Sequence, residues 1–369
     1  VISWRSGTVV SVGRSWEGSV ELVVQTSDGV DRRALAHPPL VGSPSVGDDV
    51  LVNVSAQVRG LGTGGGALVV ALPRALPADP PPGPGHLVKA RYTPLQAMVL
   101  GVDEQESEHH ELLREADDLD GLPVVVADLH SALPAVIAGA RHAAAQAGAP
   151  TPRIAYVMTD GGALPAWFSR TVAGLREAGW LAACVTVGQA FGGDLEAVTV
   201  HTGLLAARLV VAADLVVVAQ GPGNLGTGTR WGFSGVAAGE AVNAAGVLGG
   251  RPVAALRVSG ADPRERHLGV SHHSLTAYGR VALQRADVVV PTADPAEPER
   301  EPLLARVAAQ AAQLSPPHTL VTVATPPALR AALAAAPVGL STMGRGLDAD
   351  PEAFLAAAAA GVHAQRLVG

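Results

Sequence analysis

From residue 95 onward the chain alternates short apolar runs with longer segments of helical spacing, and this alternation limits the fold more than any other feature. The runs at 95–102, 122–128, 153–159, 181–187, 214–219, 252–258, 286–290 and 319–324 have the length and the Val, Ile and Leu content of strands. Several are apolar at every position rather than at alternate ones, so both of their faces need cover. A mainly parallel sheet with helices on both faces meets that need, and the predicted fold class is α/β. The last helix is marked at its start, with Asp350 placed to cap it and Pro351 at its first position.

Residues 1–75 follow another rule. GTVVSVG, SVELVVQTS, DDVLVNVSAQV and ALVVALP are short strands separated by Gly, Asp and Ser turns, the pattern of a small N-terminal β-barrel domain. PSVGDDVLVN resembles the strand starts of SH3-like, OB-like and translation-type barrels. ALPADPPPGPG then forms a stiff Pro-rich linker. The expected organisation is a barrel over 1–75, a linker with the strand leading in over 76–94, and a Gly-rich α/β domain over 95–369.

Composition removes several function classes. The net charge of −7 arises in one segment, 103–120, which holds nine acidic residues against Arg114 alone and reads as a solvated helix face and loop. No basic field exists to release counterions, and the barrel offers only Trp4 and Trp16 for stacking, so no nucleic acid is expected. No apolar stretch reaches the ~18 residues of a membrane span, so no membrane is expected either. The first residues lack the order of a signal peptide, and the expected location is cytoplasmic. Cys184 is alone, which excludes an intramolecular disulfide and a cysteine zinc site. Lys89 is the only lysine and lies beside the linker, which argues against Schiff-base chemistry. Walker, nucleophile-elbow and S-x-x-K motifs are missing.

In open α/β sheets ligands bind beyond the carboxyl ends of the strands, and the chain's unusual residues stand there. The 122–128 run ends in Asp128 and His130, and the 153–159 run in Asp160, Gly161 and Gly162. The 214–219 run leads into Gln220 and the loop GPGNLGTGT. Gly221, Gly223 and Gly226 match a dinucleotide fingerprint, but the loop runs on through TGTRWG, lies late in the fold, and has no acidic residue ending the next strand. It is read instead as a backbone cradle for a polar or anionic molecule, with Gly221, Gly223, Asn224, Thr227 and Thr229 as ligand-binding residues alongside Gly161 and Gly162. The segment DPRERHLGVSHHSLT concentrates Arg264, His267, Ser271, His272 and His273. Ser271 or Ser274 can cap the helix that follows; Arg264 and Ser271 would bind an anion, and the imidazoles would move protons. Asp160 is the candidate base or orienting group. His267 and His272 are five residues apart, so no HExxH-type site exists, and a metal would need a further ligand such as Asp160, His130 or His201.

The motifs TDGGALP, GGDLEAVTVHTGLLAA, GPGNLGTGT with GFSG, and HLGVSHHSLTAYG together resemble a family of functionally uncharacterised bacterial proteins, a domain of unknown function. The resemblance covers nearly the whole chain and implies no activity, so the cofactor stays unknown. The leading expectation is an enzyme or binding protein for a small polar or anionic ligand at the sheet's carboxyl edge. The alternatives are a non-catalytic scaffold or ligand-sensing protein with a partner-docking barrel, and a metal-dependent hydrolase. A homo-oligomer is compatible with each.

Overall fold

Alternating burial closes the first strands into a barrel. The computed structural model describes residues 2–61 and 65–369 and divides into two units, 1–99 and 100–369. In the first unit β1 (Trp4–Trp16), β2 (Ser19–Thr26), β3 (Asp31–Ala36), β4 (Asp49–Asn53) and β5 (Ala67–Ala71) form a closed barrel in the order β1-β2-β3-β5-β4. Val9, Leu22, Val24, Val50, Val52 and Val69 fill it. Two register shifts along β1 let one long strand pair with β2 on one edge and β4 on the other. The strand expected over 95–102 is shorter and lies elsewhere: β7 (Ala97–Val99) pairs antiparallel with β6 (Leu87–Lys89), outside the large sheet. Three residues cannot supply the two-sided apolar surface that the sheet interior demands.

The second unit is built on eight parallel strands: β8 (Pro123–Val126), β9 (Ile154–Thr159), β10 (Ala183–Thr186), β11 (Leu195–Glu196), β12 (Leu215–Gln220), β13 (Arg251–Ala255), and, after a small antiparallel ribbon of β14 (Val258–Ser259) and β15 (Gly269–Val270), β16 (Asp287–Thr292) and β17 (Thr319–Ala324). Their order is β11-β10-β9-β12-β8-β13-β16-β17. Val124 and Val126 enter the core on one face, Val125 and Ala127 the core on the other, and all four are buried. Helices Val200–Leu209, Ala237–Val247 and Glu301–Ala311 cover the first face. Leu133–Gln146, Arg170–Glu177, Pro327–Ala334 and Pro351–Arg366 cover the second. A hairpin of β18 (Ser341–Thr342) and β19 (Arg345–Gly346) precedes the last helix.

Two local expectations change. Asp350 makes no capping bond. Its buried carboxylate instead accepts from Ser259 Oγ at 2.5 Å, Gly260 N at 2.9 Å and Arg345 Nε at 3.0 Å, partners that outbid a single helix amide. The acidic segment 103–120, expected as a solvated helix face and loop, is mostly turns with one short helix, His110–Leu113. Glu104 within it is buried and accepts from Gly101 N. No helix among the described residues is long and apolar enough to cross a membrane.

Candidate functional site

Strand order decides which loops meet. β12, β8 and β13 are neighbours at the centre of the sheet. The helix after β8 goes to one face and the helix after β12 to the other, so their loops part and leave a crevice at the carboxyl edge. Asp128, two residues past β8, stands in that crevice, 3% exposed. Burial pushes its carboxyl up from the ordinary value, and the nearby Arg257 guanidinium opposes that only in part. Asp128 Oδ2 has no hydrogen-bond partner. It lies 3.9 Å from Arg257 Nη1 and 3.8 Å from His273 Nδ1.

Arg257 leaves the end of β13 and organises the histidine segment. Its backbone N donates to Ser274 Oγ at 2.9 Å, and its carbonyl accepts from Ser271 N at 2.8 Å. With the β14–β15 ribbon, these bonds bring residues 267–273 back over the strand ends. Arg257 Nη1 donates to His273 Nδ1 at 3.1 Å. Capping falls to Ser271, whose Oγ accepts from His273 N at 3.2 Å and pairs with His267 Nδ1 at 2.8 Å. His267 and His273 are buried and His272 is half-buried, with ring centroids 4.4 to 5.0 Å apart. Desolvation first, then the positive charge of Arg257, lowers His267 to about 3 and His273 to about 2. Desolvation and Arg266 lower His272. All three rings are therefore neutral near pH 7. His272 Nε2 is buried without a partner.

The loop after β12 closes the other side. Phe233 stacks on the His273 ring, centroids 3.8 Å apart and planes at 3°. Gln220 Nε2 donates to the Asp128 carbonyl at 2.9 Å and to Asn224 Oδ1 at 3.1 Å, while Gln220 Oε1 is left without a partner. Ser234 Oγ donates to Asn224 Oδ1 at 2.9 Å. Sequence-predicted Gly161, Asn224, Ser271, His267, His272 and His273 thus belong to one contiguous group with Asp128, Gln220, Phe233 and Arg257. A Cβ at Gly161 would strike Gln220 Oε1.

Other predicted residues take different places. Asp160 is exposed and its Oδ2 accepts from Gln189 N at 2.8 Å, so it holds the turn between neighbouring loops rather than facing the imidazoles. Gly162 and Gly221 let two backbones touch, since a Cβ on either would collide with a carbonyl of the other loop, and Ala163 N donates to Pro222 O at 2.7 Å. Gly223, at φ +94°, has open space around it. Thr227 and Thr229 are exposed and bond each other at 3.1 Å and the Gly232 backbone. Arg264 is tied to Asp262 through two bonds of 2.8 Å, with Arg345 Nη2 on the same carboxylate at 3.2 Å, and is not a free cation. Of the suggested extra metal ligands, His130 has both ring nitrogens engaged, with Tyr156 OH at 3.0 Å and Ser169 Oγ at 2.7 Å. His201 lies exposed on the helix Val200–Leu209 and does not join the histidine cluster.

Phe233 and Ser234 lie in the GFSG motif but are not among the predicted site residues, and Arg257 carries no motif; the adjacency of β12, β8 and β13 reveals their place. Asp128 and Arg257 also line a cavity together with Ser131, Ser259, Thr342, Arg345 and Asp350 among others. Asp128 and Arg257 therefore border both the imidazole cluster and a hollow. Comparison with known proteins finds one family model, described as "Protein of unknown function (DUF3866)", which matches residues 33–361. No curated protein and no solved structure matches the chain.

Proposed function

The chain belongs to the DUF3866 family of proteins of unknown function, and we propose from the site itself that it binds a small anionic molecule, bearing a carboxylate or phosphate, at the carboxyl edge between β12, β8 and β13. One observation carries this reading. Five buried side-chain polar atoms lack a hydrogen-bond partner among the described residues, and three of them, Asp128 Oδ2, Gln220 Oε1 and His272 Nε2, belong to this one contiguous group. Such atoms cost about 1–3 kcal/mol each when left unmade, and a ligand that supplies their partners recovers that loss.

Arg257 is the anion-binding cation in this scheme. Its guanidinium has further donors beside the one given to His273, and a planar fork suits a carboxylate or phosphate. Asp128, held toward its protonated form by burial, donates to an anionic oxygen as a neutral carboxyl. His272, neutral and with Nε2 unpartnered, offers a lone pair at the site. The Gly-rich loop 221–229, through Asn224, and Phe233 just after it form the wall of the site, while the loop's threonine hydroxyls serve the loop itself.

Thermal-shift measurements with inorganic phosphate and with mono- and dicarboxylates, in the presence of a chelator, test the reading. Stabilisation by at least one of these anions is expected in the wild type and in Thr229→Val, and is expected to disappear in Arg257→Gln. Equal stabilisation of Arg257→Gln, or none in the wild type, would sink it.

A further inference from the structure

We infer that His267, His272 and His273 also hold a divalent metal ion, zinc by the chemistry of its donors, with an open position for the anion proposed above. The inference rests on that reading only for the fourth ligand. One ring nitrogen from each of the three residues lies within 4.8 Å of the other two. A tetrahedral zinc with bonds near 2.0 Å needs its nitrogens about 3.3 Å apart, so the rings draw together by up to about 1.5 Å on binding.

The hydrogen bonds sort the ring nitrogens in the way a metal site requires. Nδ1 of His267 is held by Ser271 and Nδ1 of His273 by Arg257. His272 Nε2 has no partner. The rings of His267 and His273 are thus held through Nδ1 while His272 keeps Nε2 available, and a histidine held at one nitrogen is oriented to ligate through the other. Asp128 completes the pattern. A guanidinium only donates, so His273 Nδ1 accepts from Arg257 and the ring's proton sits on Nε2. A metal at Nε2 takes the lone pair there, and the ring's single proton passes from Nε2 to Nδ1 by exchange with solvent. Nδ1 then carries the proton and donates it to Asp128 Oδ2, which stands 3.8 Å away without a partner. The same change releases Arg257 toward the open position.

Spacing alone hides this site. His267 ends a single 3-10 turn, Glu265–His267, and the other two occupy the first turn of the helix His272–Thr276. No fourth His, Cys, Asp or Glu joins the cluster among the described residues. Three protein ligands and a vacancy is the catalytic type of zinc site rather than the closed structural type. Arg266 and Arg257 place positive charge beside it, so the ion needs an anionic oxygen as its fourth ligand. Metal and anion therefore strengthen each other's binding.

Zinc binding is measured by equilibrium dialysis of the chelator-stripped full chain, with and without inorganic phosphate, and cobalt(II) is added to the wild type to read coordination from its visible spectrum. One zinc per chain is expected, tighter with phosphate, together with a tetrahedral cobalt spectrum. His272→Gln is expected to weaken zinc about 100-fold and Asp128→Asn about 10- to 100-fold, while His201→Gln leaves it unchanged. Absence of stoichiometric zinc, an octahedral cobalt spectrum, or an affinity that His272→Gln does not alter overturns the inference. If zinc fails while Arg257-dependent anion stabilisation persists in chelator, the metal assignment falls and the anion site stands. If zinc binds but phosphate neither tightens it nor stabilises the protein, the ion stands and the anion site falls.

Discussion

Asp128 and His130 are two residues apart at the end of one strand, and their surroundings set them apart. His130 has a hydroxyl on each ring nitrogen and serves the structure. Asp128 has a buried oxygen with no partner. A purely structural carboxylate that loses its charge costs about 3–5 kcal/mol when it belonged to a buried pair. Asp128 is expected to behave otherwise: Asp128→Asn should leave urea stability of the ligand-free protein unchanged or raise it by about 1 kcal/mol, because a desolvated group without compensation is removed. A loss above about 2 kcal/mol would make Asp128 structural. His130 gives the opposite kind of prediction. Burial lowers it to about 4, against an ordinary value of 6.5. Its contribution is full above 6.5, where folded and unfolded states are both neutral. Below 6.5 the unfolded chain takes a proton that the folded chain refuses, so stability falls with pH down to about 4, by about 1.4 kcal/mol per unit for one proton. Unfolding curves of His130→Gln should lose about one proton's worth of that slope; an unchanged slope would contradict the burial argument.

At the scale of elements, the two longest helices on one face owe their closeness to glycine. Gly139 of Leu133–Gln146 and Gly361 of Pro351–Arg366 meet reciprocally: a Cβ at Gly139 would collide with the Ala358 carbonyl, and one at Gly361 with the Val136 carbonyl. Backbone cannot yield as a flexible side chain can, so Gly361→Ala should lose about 1–3 kcal/mol in a urea melt despite alanine's better helix propensity. A stabilised variant would show that the helices sit further apart. The elements themselves were legible in sequence where apolar runs were long enough to be buried twice, as in LVVVAQ and IAYVMT. β11 was not, because Leu195–Glu196 is two residues long and one of them is acidic. The tetrapeptide ALPA stands at both 132–135 and 163–166, and context divides the two. Leu133 opens a helix, whereas Pro165 bridges to Phe191 in a loop.

Across the whole molecule, the sheet order turns a list of polar residues into a site. The histidines of 267–273 were visible as a cluster in sequence because they are neighbours along the chain. Their partners were not. Asp128, Gln220 and Arg257 follow three strands that are far apart in sequence and adjacent only in the order β12-β8-β13. Arg264, the nearer cation along the chain, is neutralised by Asp262, and Arg257 takes its place. The glycines of 161–162 and 221 looked like a ligand cradle for an equally physical reason: close approach of two backbones and close approach of a ligand both demand the missing Cβ, and sequence alone does not distinguish them.

Certain ring nitrogens wait for a ligand at this site, while others are satisfied by the fold. Nitrogen-15 spectra of the imidazoles, recorded while inorganic phosphate is added to the zinc-free protein, read this directly. The His272 resonances should move with saturation, while those of His130 and of His318, whose nitrogens are held by Tyr156, Ser169, Ala286 and Tyr278, stay in place. Movement of His130 and His318 with His272 unmoved would contradict it.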